Sequence, residues 1–119
     1  MDNSLYREEI LEHYKTPQNF GVIASCDSHA HQTNPFCGDD IEIFVNFNKD
    51  VIQDISFRGQ GCAISIASAS ILTEFAKGKT KKELTNMTEE DMLDLLGIEV
   101  SETRKKCALL ALATLKDCL

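Results

Sequence analysis

Two adjoining segments of alternating apolar residues constrain the fold of this chain more than any other feature. In residues 40–48 every second residue is apolar, and the same period recurs in residues 51–58 after a short polar break. Alternation with a period of two is typical of a half-buried strand. The pattern therefore predicts an antiparallel hairpin, and the polar segment 25–33 is long enough to add an edge-type strand ahead of it.

Helical signals follow this predicted sheet. An Ala- and Ser-rich helix is expected over 62–77, because apolar residues recur there at helical spacing and Gly78 follows. The predicted apolar face of this helix comprises Ile64, Ala67, Ile71 and Phe75. Two short helices are expected after the capping sequences that begin at Thr80 and Thr88, the second ending at Gly97.

The two outermost predicted helices carry apolar stripes of their own. The first is capped by Asn3 or Ser4 and ends before Thr16, because the residue before a proline disfavours the helical conformation. Its stripe is Leu5, Tyr6, Ile10, Leu11 and Tyr14. The last helix begins after Ser101 and carries the stripe Cys107, Leu110, Ala111, Thr114, Leu115 and Cys118.

The composition limits the classes of partner. With 119 residues, 43% of them hydrophobic, we expect one domain over 1–119 with a single core. A formal charge of −7 argues against nucleic acid and anionic membrane as partners, because both attract basic surfaces. The first residues lack a secretory signal pattern and no apolar stretch approaches membrane-spanning length, so we expect a cytoplasmic protein.

Three of the five cysteines occupy settings that suggest chemistry. Disulfides are rare in a reducing cytosol, so metal binding or thiol chemistry is the leading explanation. In a three-stranded meander, the loop after the first strand and the end of the third lie at the same edge. Cys37 and Cys62 then become neighbours, and the last helix must deliver Cys107. Together with Asp39 they could form one four-ligand metal site, held less permanently than a four-cysteine site because carboxylate is a harder ligand.

Local sequence favours reactive thiols at these positions. Gly38 lets the backbone curl so that the side chains on either side of it can face one ion. Cys62 is expected at a helix N-terminus, which favours the thiolate. The basic residues 104–106 should do the same for Cys107 and could attract a persulfide, which makes Cys107 the candidate sulfur acceptor, although a solvated basic helix start explains these charges equally well.

The remaining cysteines and histidines carry weaker signals. Cys118 lies about 16 Å along the helix from Cys107, too far to share an ion, so it is expected to pack at the C-terminus or stay exposed. Cys26 has no glycine or base beside it and is interpreted as core or edge packing. His29 and His31 alternate along one strand and are interpreted as surface residues rather than ligands.

Three segments, in order along the chain, resemble the NifU N-terminal, IscU and SufU family of iron–sulfur cluster scaffold proteins. The family's Cys-Gly-Asp loop is similar to 37–39, its Gly-x-Gly-Cys before a Ser/Ala-rich helix is similar to 59–65, and its Lys-Cys-Ala-x-Leu helix is similar to 106–110. The opening helix is similar as well, in segments 5–7, 13–15 and 17–19. The resemblance thus covers essentially the whole chain.

This resemblance implies both a fold and a function. The fold is α+β, with a three-stranded antiparallel sheet, helices packed on one face and a long C-terminal helix. The implied ligands are Cys37, Cys62 and Cys107, with Asp39 as an assisting carboxylate. The implied function is a scaffold that accepts sulfur from a cysteine desulfurase, binds iron, builds a labile [2Fe–2S] cluster and transfers it to apo-proteins or cluster carriers.

Two departures from the family pattern bear on the subtype. IscU members place a histidine directly before the last cysteine and carry a Leu-Pro-Pro-Val-Lys segment that a dedicated Hsp70 chaperone reads. Here Lys106 and residues 98–102 stand in those places, so the resemblance carries over neither histidine ligation nor that chaperone. The sequence around Cys107 is more similar to SufU or NifU, but the insertion typical of SufU between the second and third cysteines is missing. The subtype stays open.

A second hypothesis belongs to another class. It is a zinc-bound, SufU-like sulfurtransferase that relays persulfide sulfur from a cysteine desulfurase without building a cluster. Three thiolates and one carboxylate suit tetrahedral Zn²⁺, and Cys107 would again be the thiol that accepts sulfur. A purely structural zinc site is the third hypothesis, and it predicts that removal of zinc unfolds the chain.

Overall fold

The computed structural model describes residues 4–119, which form a three-stranded sheet and five helices in an α+β arrangement. The strands are Ser28–Asn34 (β1), Asp39–Asn48 (β2) and Val51–Gln60 (β3). The helices are Ser4–Lys15 (α1), Ala63–Ala76 (α2), Lys81–Thr85 (α3), Glu89–Leu96 (α4) and Glu102–Asp117 (α5). The predicted fold class, including the hairpin and the long last helix, is confirmed.

The sheet is antiparallel with the strand order β1-β2-β3. The expected edge strand exists but is displaced toward the hairpin, since it begins at Ser28 and continues to Asn34, which pairs with Asp39. Asp27 sets this start, because its carboxylate accepts a hydrogen bond from the Phe47 N–H at 2.8 Å. The shifted strand brings Asn34, one residue beyond the predicted strand, into the last pair before the loop.

Alternation along β2 separates two faces of the sheet. Ile41, Ile43 and Val45 are fully buried beneath the helices. Phe44 faces the opposite side, yet it is only 5% exposed because His29 stacks on its ring and the guanidinium of Arg58 lies 5.7 Å from the ring centroid. Phe44 is therefore covered by neighbouring side chains of the sheet itself.

The prediction of which residues form the buried face of α2 is wrong for most of them. Of the four positions expected to be buried, only Ala67 is fully buried, and Phe75 is 38% exposed. The buried side is instead composed largely of small residues: Ser65, Ile66, Ala67, Ser68, Ala69, Ser70, Leu72, Thr73 and Ala76. Because α2 is packed against α1, α5 and β3 together, it has no single stripe, and small side chains let these neighbours approach closely.

Helix α1 is only partly as predicted. Ser4 lies within the helix rather than before it, whereas the alternative cap Asn3 and the side chains of residues 5 and 6 lie outside the described part of the structure. Ile10 is buried, but the next two members of the predicted stripe are half exposed, Leu11 at 50% and Tyr14 at 44%. Among the described side chains of α1, one edge therefore contributes to the core.

The last helix begins as predicted. The Ser101 hydroxyl accepts a hydrogen bond from the Arg104 N–H, and the whole predicted stripe from Cys107 to Cys118 is buried. The capping box predicted at Thr80 is present, and Thr88 forms a second one with Asp91. Helix α5 packs on β1, β2 and α2, and its first turns lie at the β1–β2 loop, where Cys107 contacts Cys37. Within residues 4–119, no helix is both long and apolar enough to cross a membrane.

Candidate metal centre

The β1–β2 loop and the end of β3 lie at the same end of the sheet. The register pairs Asn34 with Asp39 and Asp40 with Gln60, so the loop 35–38 lies beside the start of α2, as the meander predicts. Gly38 has a φ of 68°, in the left-handed region that favours glycine, and the chain reverses there. The topology therefore brings the loop and the α2 N-terminus together.

Three of the four predicted ligands converge closely. The ligand atoms of Cys37, Asp39 and Cys107 all lie within 4.8 Å of one another. The Cys107 thiol donates to the Cys37 sulfur at 3.1 Å, and all five cysteines are free thiols. A cation could be reached by two sulfurs and one carboxylate oxygen at this point.

Cys62, the fourth predicted ligand, adjoins this cluster. It is the N-cap residue of α2, and its backbone N–H donates to Asp39 Oδ1 at 3.0 Å. Its thiol contacts Cys107, although its sulfur lies more than 4.8 Å from at least one of the other three ligand atoms. Asp39 is only 2% exposed, and burial of a carboxylate is costly unless it is hydrogen-bonded. The helix N-terminus supplies such a donor and a favourable dipole.

The expectation that basic neighbours favour the Cys107 thiolate is wrong. Burial raises the pKa of the Cys107 thiol far above its ordinary value, and contacts with Cys37, Asp39 and Cys62 raise it further. The flanking ammonium groups lie elsewhere, Lys105 against Glu102 at 2.9 Å and Lys106 over the Phe36 ring. Without metal Cys107 is thus a neutral thiol, and a bound cation would have to displace its proton.

Gly61 leaves space for the carboxylate beside the helix. A Cβ atom at this position would overlap with Asp39 Oδ1 and lie 3.0 Å from Asp39 Cα. The main role of Gly61 is therefore to permit the close approach of β2, and so of Asp39, to the segment that enters α2.

A groove of about 530 Å³ opens beside the Cys37 thiol. It is lined by Asn34, Phe36, Cys37, Glu102, Thr103 and Lys106. Phe36 is 86% exposed, and the Lys106 ammonium lies 5.1 Å from its ring centroid. Lys106, which stands where IscU members have a histidine, therefore contacts an aromatic ring on the rim of the groove.

The other cysteines and the strand histidines lie outside the cluster. Cys118 is buried, with its sulfur 3.6 Å from the Thr114 carbonyl oxygen, which confirms packing at the C-terminus. Cys26 is half buried in the segment that precedes β1. His29 and His31 are exposed on the outer face of the sheet, and His31 pairs with Asp40. Among the described residues, none of these joins a group of three potential ligands.

Asn34 is a site residue that the sequence analysis missed. It is 7% exposed, and its amide nitrogen lies 3.5 Å from Asp39 Oδ2 and 3.7 Å from Cys107 Sγ. A signal for it existed in the sequence. If the alternation that exposes His29 and His31 is continued to the loop, Asn34 points inward, where an amide requires a polar partner.

The donor set suits a thiophilic metal. Thiolates favour Zn²⁺ and iron–sulfur chemistry, and a carboxylate is tolerated by both as the harder member of the set. Cys37, Asp39 and Cys107, with Cys62 adjacent, are the residues that would hold such an ion or cluster. The buried polar atoms gathered here have no other evident role in a domain with its own apolar core.

Fold and site together define a class of protein. Its members are small α+β domains in which a cysteine–carboxylate centre lies between the β1–β2 loop and the N-terminal turns of two helices, here α2 and α5. The family model described as NifU-like N terminal domain matches residues 5–119. The chain therefore belongs to the NifU-like N-terminal domain family.

Individual relatives carry different descriptions. The zinc-dependent sulfurtransferase SufU of Bacillus subtilis is 35% identical, over 92% of this chain and 85% of its own length. The iron–sulfur cluster assembly scaffold protein IscU 1 of Archaeoglobus fulgidus is 37% identical over 78% of this chain, which spans 61% of that relative. A crystal structure from Fervidobacterium islandicum AW-1, assigned as a scaffold protein for the SUF system, superposes with a TM-score of 0.84 at 29% identity, covering 99% of this chain and 98% of the other.

Proposed function

We propose that this protein is an iron–sulfur cluster assembly scaffold. It accepts persulfide sulfur from a cysteine desulfurase, binds iron, builds a labile [2Fe–2S] cluster at the Cys37, Asp39, Cys62 and Cys107 site once a reductant has converted that sulfur to sulfide, and passes the cluster to apo-proteins. The observation that carries this proposal is the mixed donor set, in which one carboxylate lies among thiols at less than 4.8 Å. Such a set combines strong sulfur ligands with one weaker oxygen ligand, which suits a cluster that is bound temporarily and then released.

The test is anaerobic reconstitution of the full chain with a cysteine desulfurase, cysteine, ferrous iron and a thiol reductant, which supplies the electrons that convert persulfide sulfur to sulfide. A scaffold develops visible cluster absorption and then loses it to an added apo-ferredoxin, which gains it. Absence of iron uptake by metal-free protein contradicts the proposal.

The alternative function is a zinc-dependent sulfurtransferase. Two observations favour it: 35% identity to a relative of that description, and a lysine, rather than a further metal-binding side chain, directly before Cys107. Zn²⁺ bound by three thiolates and Asp39 would act mainly by keeping those thiols ionised. Stoichiometric zinc in protein purified anaerobically, together with no iron uptake, would decide for this function and against the scaffold.

Asp39 is expected to control the release of the cluster. We predict that Asp39→Ala slows transfer to an acceptor by about tenfold, equivalent to roughly 1.4 kcal/mol in the barrier, because only thiolate bonds then remain to be exchanged. The measurement is the rate at which an apo-ferredoxin acquires cluster absorption. Asp40→Ala is the matched control, since its carboxylate faces His31 on the other side of the strand. Transfer by Asp39→Ala as fast as by the parent removes Asp39 from this role.

The identity of the thiol that first receives sulfur stays a prediction. The sequence favoured Cys107, but its side chain is fully buried, whereas Cys37 lines the open groove. Sulfur can therefore reach Cys107 by exchange from a persulfide on Cys37, whose sulfur lies 3.1 Å away.

A further inference from the structure

We propose that Asn34 is a positioning residue of the metal centre. Its side-chain amide holds the Asp39 carboxylate and the Cys107 sulfur in one arrangement from outside the ligand set. This inference rests on the proposed function, since it concerns how the same site holds its ion.

The geometry places Asn34 between two ligands that come from different elements. Asn34 Nδ2 is 3.5 Å from Asp39 Oδ2 on β2 and 3.7 Å from Cys107 Sγ on α5. The other oxygen of Asp39 accepts the Cys62 N–H. The two carboxylate oxygens are thus directed by two separate donors, and the Asn34 amide also reaches the sulfur of Cys107 on α5.

The backbone holds Asn34 firmly in this place. It is the last residue of β1, its strand partner is Asp39, and its carbonyl oxygen accepts the Cys37 N–H at 3.2 Å across the loop. The side chain lies on the core face and is 7% exposed. A buried amide so fixed loses little further conformational freedom when it orients a ligand.

The chemistry of the amide decides which end faces the ligands. An ionised carboxylate and a thiolate are both acceptors, so an amide oxygen aimed at them would be repelled, whereas the NH₂ group can donate to each with its two hydrogens. A hydrogen bond to a metal-bound thiolate withdraws electron density from sulfur and stabilises its lone pairs. Groups outside the ligand set that orient ligands in this way typically change metal affinity by about 10–100-fold when removed.

The experiment titrates metal-free full-length protein with Zn²⁺ and with Co²⁺, whose thiolate charge-transfer bands report on the sulfur ligands. Asn34→Leu keeps the approximate shape of the side chain without a donor, and Asn34→Ala removes it. We expect both to bind Zn²⁺ about 10–100-fold more weakly in competition with a chelator. The Co²⁺ charge-transfer band should move to longer wavelength, because the sulfur lone pairs lose their hydrogen bond.

Controls separate positioning from general destabilisation. Asn86→Ala changes an exposed asparagine at the end of α3 and should leave both readouts unchanged. Asn34→Leu that folds, binds Zn²⁺ within threefold of the parent and keeps the band position contradicts the inference and leaves the proposed function intact. A parent protein that binds neither metal contradicts the proposed function, and this inference with it.

Discussion

Serine in place of Cys37, Cys62 or Cys107 should reduce the visible absorption of the reconstituted cluster to the baseline. A serine hydroxyl does not ionise near neutral pH and is a poor ligand for iron in a sulfur-bridged cluster, so each substitution removes a bond that Asp39 alone cannot replace. The measurement is the absorption spectrum after anaerobic reconstitution, with iron and acid-labile sulfide counted per chain.

Cys118→Ser is the matched control for these three variants. Cys118 is a buried cysteine of α5, like Cys107, but its sulfur contacts the Thr114 and Ile43 carbonyl oxygens instead of the cluster. Its variant should fold somewhat less stably and still acquire the full absorption. Retention of the cluster by all three of the other variants would mean that the site has been placed wrongly.

Gly59→Ala should cause the largest loss of stability among single substitutions near the site, about 3 kcal/mol. A Cβ atom there would overlap with the Asp40 carbonyl oxygen and lie 3.1 Å from Ile41 Cα, both backbone atoms of β2 that cannot rotate away. Overpacking of this kind costs typically 1–3 kcal/mol, and the φ of 158° adds strain for any residue with a side chain. Urea unfolding of the metal-free protein measures this loss without interference from ligand binding.

Gly78→Ala is the control that separates backbone strain from overpacking. Gly78 also has a positive φ, at 86°, but a Cβ atom there would meet no other atom within 4 Å. Its variant should lose about 1 kcal/mol, the cost of the left-handed conformation alone. Equal losses in the two variants would show that the close approach of β2 and β3 at Gly59 has no energetic consequence.

Local sequence signals were enough to predict most of the secondary structure. The alternation in β2 and β3, the capping boxes at Thr80 and Thr88 and the cap at Ser101 are encoded within a few residues of where they act. The burial of α2 was not predictable in this way, because a helix packed against α1, α5 and β3 at once buries small residues on several sides. Periodicity identifies one buried stripe, and here there is none.

The features of the candidate site likewise divide into those that local sequence predicts and those that depend on the tertiary structure. The meander made Cys37 and Cys62 neighbours. The chemistry of Cys107 and Asp39 added these two residues to the set, and the resemblance to known scaffolds implied the same four. The protonation of Cys107 was misjudged, because sequence proximity to lysines does not reveal where their ammonium groups lie. Asn34 was missed because its role depends on reaching a carboxylate five residues away and a sulfur 73 residues away.

The sequence by itself thus determined the sheet, the order of its strands and the set of candidate metal ligands, because alternation, capping and thiol chemistry are local properties. Only the tertiary structure decided the protonation of Cys107, the space that Gly59 and Gly61 leave for β2, and the contact of Asn34 with two ligands. These depend on desolvation and on distances between elements remote in the chain, which arise only when α2 and α5 pack over the end of the sheet.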